Sequence, residues 1–151
     1  MKFKHPVAAP FRISQHFGEN PQYYRKFGFP GHEGVDYAVN VGTPVLAPAA
    51  GVVYQIRKVS NHPYGWHMRL RHRDPETGDV YETIFAHLSS IKMKEGQAVR
   101  PGDIIALSGN TGTSTTGPHL HYSLKKLGST ESGESKYPKD IVNPEPLMET
   151  P

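Results

Sequence analysis

The chain has 151 residues, 17 Lys and Arg against 14 Asp and Glu, a net charge of +3, and no cysteine. A domain of this length buries a real core, and the missing cysteines exclude disulfides and thiolate metal ligands, so any metal must be held by His, Asp or Glu. The basic residues are scattered, which argues against a nucleic-acid footprint, and no apolar run approaches the roughly 18 residues that a membrane-spanning helix needs.

Hydrophobic residues make up 36% of the chain, with 15 Gly and 14 Pro, a composition that suits a loop-rich β protein better than a helix bundle. Residues 1–30 read as an irregular lead, punctuated by Gly18, Pro21, Gly28 and Pro30 and carrying Phe17, Tyr23, Tyr24, Phe27 and Phe29. No secretory leader is visible, because the basic start is followed only by Val7-Ala8-Ala9 before Pro10. From Val35 short strands are expected: 35–39, 43–48 and 51–56, then 66–71, where Trp66, Met68 and Leu70 alternate with His67, Arg69 and Arg71. Asp74-Pro75-Glu76-Thr77-Gly78-Asp79 is a turn that joins this strand to 80–85 as a hairpin. Short strands follow near 97–99 and at 104–107. A polar, glycine-rich loop over 109–117 then leads to a second histidine motif, and a polar, proline-rich tail runs over 127–151 with an isolated Ile141-Val142.

Two motifs carry the chemistry. One is His32-Glu33-Gly34-Val35-Asp36, the other Gly117-Pro118-His119-Leu120-His121. An extended segment points residues two apart to the same face, so His119 and His121 converge, and Gly117-Pro118 opposes a helix there. His32 and Asp36, four apart, also share a face, and alternation turns Glu33 away from both. No second His stands four residues after His32, so the helical zinc-protease motif is absent. Two imidazoles and one carboxylate leave a fourth tetrahedral position open, the mark of a catalytic zinc site rather than a structural one. Each motif alone is weak, and a turn histidine is the ordinary reading of either. For His5, His16, His62, His67 and His72 a solvated or turn position is expected. Trp66 is read as core, and the 109–117 loop lacks the lysine and serine of a phosphate-binding loop.

The segments around the motifs add specificity. In order they are His32-Glu33-Gly34-Val35-Asp36-Tyr37, Val41-Gly42-Thr43-Pro44-Val45-Leu46-Ala47, Gly51-Val52-Val53, Tyr64-Gly65, Ala86-His87-Leu88-Ser89, Val99-Arg100-Pro101-Gly102-Asp103-Ile104-Ile105, Ser108-Gly109-Asn110-Thr111-Gly112 and Gly117-Pro118-His119-Leu120-His121, with Val142-Asn143-Pro144 near the end. This ordered set, from about residue 11 to 147, resembles the lysostaphin-type zinc metalloendopeptidases (metallopeptidase family twenty-three), which cut peptide cross-links in bacterial peptidoglycan.

The resemblance implies His32, Asp36 and His121 as ligands of one Zn2+ per chain. It implies His119 and His87 as the catalytic pair, one as general base and the other at the water or the oxyanion. It also implies an all-β fold of twisted antiparallel sheets forming a substrate groove, of the duplicated hybrid or barrel-sandwich type. Phe85 stands where the family often has Tyr. Residues 17–28 form a longer link to the first ligand than usual, similar to phage-encoded members. Tyr23 and Tyr24 are candidates for the upstream tyrosine that assists the oxyanion in this family.

The expectation is a single peptidase domain over 1–151, with a lead over 1–30, a catalytic core over 30–127 and a tail over 128–151 packed on it. It acts as a monomer on peptidoglycan, with no nucleic-acid partner and no membrane insertion. It is expected to reach the wall as a phage-type lysin or on a virion, and to favour diaminopimelate links over oligoglycine bridges. The competing readings are a wall-binding or amidase-activating module without hydrolysis, a structural virion component, and a phosphocarrier-like domain that would leave the His32, Asp36 and His121 set unexplained.

Overall fold

The computed structural model describes residues 1–128 and 140–150; most of the tail expected over 128–151, residues 129–139 and Pro151, lies outside them. The elements, in chain order, are β1 (Ile13–Gln15), a one-turn helix α1 (Pro21–Arg25), β2 (Val35–Tyr37), β3 (Pro44–Leu46), β4 (Gly51–Arg57), β5 (His67–Arg73), β6 (Val80–Ala86), β7 (Leu88–Ile91), β8 (Ala98–Val99), β9 (Ile104–Ser108), β10 (Leu120–Gly128), β11 (Ile141–Val142) and a short 3-10 turn, Glu145–Leu147. The large sheet has the order β1-β2-β10-β6-β5-β4-β8, with β11 also pairing to β10. A small sheet has the order β3-β9-β7. Every pairing between these strands is antiparallel, so the all-β expectation holds.

Residues directly opposite one another on neighbouring strands share a face. The register sets Tyr122 against Phe85, and Phe85 against Met68. That face, with Leu70 and Val53, packs on Val45, Leu88, Ile105 and Ala106 of the small sheet, and these residues form one buried cluster. A fully buried Leu, Ile or Phe contributes about 1.5–3 kcal/mol of hydrophobic stabilisation, so the two-sheet interface is what holds the sandwich together. The other face carries His121 opposite Ala86, Ser123 opposite Ile84, and Lys125 opposite Glu82. His121, Ser123 and Lys125 therefore lie on the side of the large sheet that turns away from this cluster.

The hairpin expected at 74–79 joins β5 to β6 in register, with Arg73 opposite Val80. Four features differ from expectation. The lead contains β1, which pairs with β2, and α1. Phe3 is fully buried in a second cluster with Ala49, Tyr81 and Leu124. It is held by backbone bonds from its own N–H to the Leu147 carbonyl and from the Glu149 N–H to its carbonyl, a pairing too short to show as periodicity. Strand β7 was not expected, because Ser89-Ser90 breaks its apolar pattern; its pairing with β9 creates it. His67 and His72 are buried rather than solvated, since β5 is covered on both faces at those positions.

Candidate metal centre and catalytic cleft

Asp36 and His121 are register partners on β2 and β10, which sets a carboxylate beside an imidazole across 85 residues of sequence. His32 lies just ahead of β2, next to a bend at Glu33-Gly34. Gly34 makes this closeness possible, because a Cβ there would lie 2.3 Å from the Tyr122 carbonyl oxygen and 2.9 Å from His121 Cε1. The outcome is a triangle of donor atoms. His32 Nε2 lies 3.2 Å from Asp36 Oδ1 and 3.2 Å from His121 Nδ1, and His121 Nδ1 lies 3.0 Å from Asp36 Oδ1. Donors of a tetrahedral zinc at about 2.0–2.1 Å lie roughly 3.3 Å apart, so the triangle has the size of one face of that tetrahedron. Among the described residues it is the one set of three metal-capable side chains brought together.

The remaining ring nitrogens agree with this assignment. The His32 Nδ1–H donates to the His16 carbonyl at 3.2 Å, which leaves Nε2 with a lone pair. Ser123 donates its hydroxyl hydrogen to the Glu33 carbonyl at 2.9 Å, so its oxygen accepts from His121 Nε2–H at 2.7 Å and Nδ1 is left bare. Such outer partners fix tautomer and ring orientation in metal-ligating histidines. Electrostatics favours a cation in the same place. Burial works against the Asp36 charge, but the His121 and His32 imidazoles beside it hold its carboxyl far below the usual range. Burial likewise opposes a charge on His121, yet the bond to Asp36 and the charge of Glu33 raise its pKa. The cluster thus draws in positive charge, which a metal ion supplies.

His119 and His87 complete the cleft. The His119 Nδ1–H donates to the Gly117 carbonyl at 2.8 Å, and its Nε2 faces Asp36 Oδ2 at 3.8 Å. His87 stands between β6 and β7, at the corner where the chain crosses from the large sheet to the small one. Its φ is +63°, a left-handed conformation uncommon for a side chain with a Cβ and enriched at functional sites. Its Nδ1–H donates to the Thr111 carbonyl at 2.7 Å. Burial, reinforced by the nearby charges of His119 and His121, pushes its pKa down to about 4. The two rings are 4.6 Å apart between centroids. Each ring has Nδ1 occupied by a backbone carbonyl, so Nε2 is the nitrogen each turns to the cleft.

These five residues line one cavity of about 370 Å³, walled by Tyr23, Tyr24, Phe27, Phe29 and Tyr64. Tyr24, not Tyr23, reaches inward. Its ring lies 5.5 Å from that of His32, and its hydroxyl donates to Gln15 Oε1 at 3.2 Å. Tyr23 and Phe27 are more than half exposed on the rim.

Sequence reasoning missed two residues. Tyr64 stacks on His121, with centroids 5.3 Å apart and planes at 28°. Glu33, expected to turn away, instead places Oε1 3.4 Å from His121 Nε2. Strand alternation starts only at Val35, so it does not govern the bend in which Glu33 lies. The Tyr64-Gly65 pair is part of the family resemblance, but no local pattern in the sequence marks its ring.

Residues 30–134 match the profile of Peptidase family M23. The chain is 42% identical over 122 residues to the peptidoglycan DD-endopeptidase ShyA of Vibrio cholerae, covering 80% of this chain and 26% of that protein. It is also 42% identical over 119 residues to an uncharacterized metalloprotease of Haemophilus influenzae, covering 79% of this chain and 24% of that one. The chain spans about a quarter of the length of these curated relatives. Among solved structures it resembles the catalytic domain of the prophage-encoded M23 protein EnpA from Enterococcus faecalis, with a TM-score of 0.71 and 31% identity over 95% of each chain. It also resembles the catalytic domain of lysostaphin from Staphylococcus simulans, with a TM-score of 0.67 and 28% identity over 90% of each. The match spans 105 of the 151 residues, and the chain belongs to Peptidase family M23, a family of zinc-dependent metallopeptidases.

Proposed function

We propose that this chain is an endopeptidase that hydrolyses peptide bonds in peptidoglycan, with one zinc ion held by His32, Asp36 and His121. The donor triangle of 3.0–3.2 Å edges carries this reading. When bound, zinc supplies Lewis-acid chemistry, polarising a carbonyl and bringing the pKa of water toward about 7. The protein's own residues do the rest. His119 takes a proton from the attacking water at its bare Nε2, and the Asp36 carboxylate 3.8 Å away stabilises the imidazolium that forms. The same proton then passes to the leaving amine. His87 stays neutral beside that cation and accepts the second hydrogen of the water at Nε2, fixing its orientation. A hydrogen-bond donor role at the oxyanion suits His87 less, because its only ring hydrogen is committed to Thr111. Tyr24 stands at the cleft wall with its hydroxyl kept protonated by burial and by the charges of Glu33 and Asp36, so it can donate to a developing oxyanion by releasing Gln15.

The relatives named as DD-endopeptidases favour a D-alanyl–diaminopimelate link over oligoglycine as the bond cut. The likeness to a prophage-encoded protein favours a phage-type lysin acting on the wall. The test is release of new amino groups from purified diaminopimelate-type peptidoglycan, with and without chelator, with mass analysis of the fragments. Release that chelator stops and zinc restores, with diaminopimelate amines newly exposed, is expected. No release with one equivalent of zinc bound would replace hydrolysis by a wall-binding role.

A further inference from the structure

His121 Nε2 faces two oxygens. One is the neutral hydroxyl of Ser123 at 2.7 Å, the other the carboxylate of Glu33 at 3.4 Å. The Glu33 side chain is only 12% exposed, and its second oxygen, Oε2, is buried with no hydrogen-bond partner. Burying a carboxylate this way is costly unless something nearby gains from its charge. Its polar neighbours are the Tyr64 hydroxyl, 3.5 Å from Oε1, and the His121 ring. Tyr64 in turn stacks on His121. One aromatic ring therefore holds the imidazole by its face, while Ser123 and Glu33 hold it by its edge.

We propose that Glu33 is a positioning residue for the metal: its carboxylate, placed beside Tyr64, holds the His121 imidazole with Nδ1 aimed into the donor triangle and strengthens it as a ligand. This rests on the reading of His121 as a zinc ligand. Carboxylates in this outer position raise ligand basicity, and their loss typically costs about 10–100-fold in metal affinity. The charge is the working part. An amide of the same shape keeps the packing and loses the effect.

The experiment is zinc titration of the metal-free protein against a chromophoric chelator, for the unmodified chain and for Glu33→Gln, Glu33→Ala and His121→Ala. Thermal unfolding of the metal-free forms checks that each variant folds. The expected result is a Kd weaker by about 10-fold or more in both Glu33 variants, with faster zinc release. Glu33→Gln with the affinity of the unmodified chain overturns the proposal, whatever Glu33→Ala does. If Glu33→Gln does not fold, Tyr64→Phe carries the test, with a weaker Kd expected and an unchanged one overturning it. His121→Ala separates the two levels of inference. Unchanged zinc affinity there removes His121 from the ligand set, which is a failure of the site reading and not of Glu33 alone.

Discussion

His72 and His121 are both buried on the same eight-stranded sheet, on β5 and β10, yet their hydrogen bonds differ in kind. The His72 Nδ1–H donates to the Ala50 carbonyl at 2.8 Å, and Nε2 accepts from the Thr83 hydroxyl at 2.8 Å. Both nitrogens are consumed inside the protein, and the ring packs edge-on against Phe3. At the other end of the sheet, His32, His87, His119 and His121 each commit one nitrogen, to His16, Thr111, Gly117 and Ser123. The other nitrogen of each points to a shared cavity. Burial does not separate a working histidine from a structural one here. What separates them is whether a nitrogen is left over.

The comparison can be broken most sharply at His119. His119→Ala is expected to lower kcat on the order of 10²–10⁴-fold while zinc content, read by metal analysis, stays at that of the unmodified chain. His72→Asn should leave kcat at 20 °C near that of the unmodified chain, and equal losses of activity in the two would end the distinction.

His72 should appear instead in stability against pH. Burial depresses its pKa from 6.5 to about 4. Below pH 6.5 the unfolded chain binds a proton that the folded one refuses, so stability is complete above about 6.5 and drains away toward pH 4, by up to about 3 kcal/mol. His87 shares this window in the metal-free protein, so the readout is the difference between denaturant curves of the unmodified chain and His72→Asn. The slope over pH 4–6.5 should flatten in the variant.

Two glycines refine the contrast between open and closed ground. Gly34→Ala drives a methyl toward the Tyr122 carbonyl, Ser123 and His121, which should cost about 1–3 kcal/mol as overpacking and weaken zinc binding with it. Gly117→Ala meets nothing within 4 Å, and its stability should stay within about 0.5 kcal/mol. The smallest effect is expected at the rim. Tyr23→Ala and Phe27→Ala should leave the melting temperature nearly unchanged and raise KM on peptidoglycan a few-fold, with kcat preserved.

The parts of this molecule that could be read in the sequence are those governed by local periodicity. Met68 and Leu70 enter the core as alternation requires, the 74–79 turn closes a hairpin, and His119 and His121 reach the same cleft. The family resemblance also grouped the five site residues that the structure brings into one cavity. What stayed hidden depends on partners far along the chain. Glu33 is turned inward by the bend before β2, Tyr64 is laid on His121 from a separate loop, and Phe3 is buried by the C-terminal segment. His72 reads as one more solvated histidine in the sequence because the groups that satisfy it, Ala50 ahead of β4 and Thr83 on β6, lie elsewhere along the chain.

The direct pairing of Asp36 with His121 across β2 and β10 has a consequence for the timing of activity. On the proposed ligand set, a chain still being synthesised carries His32 and Asp36 long before its third donor exists, and a one-residue slip of β10 would turn His121 to the opposite face. Metal capture would then act as an inspection step, passed only by a molecule whose last long strand has docked in the correct register. A cell making such an enzyme would be spared a wall-cutting activity from unfinished or misaligned copies.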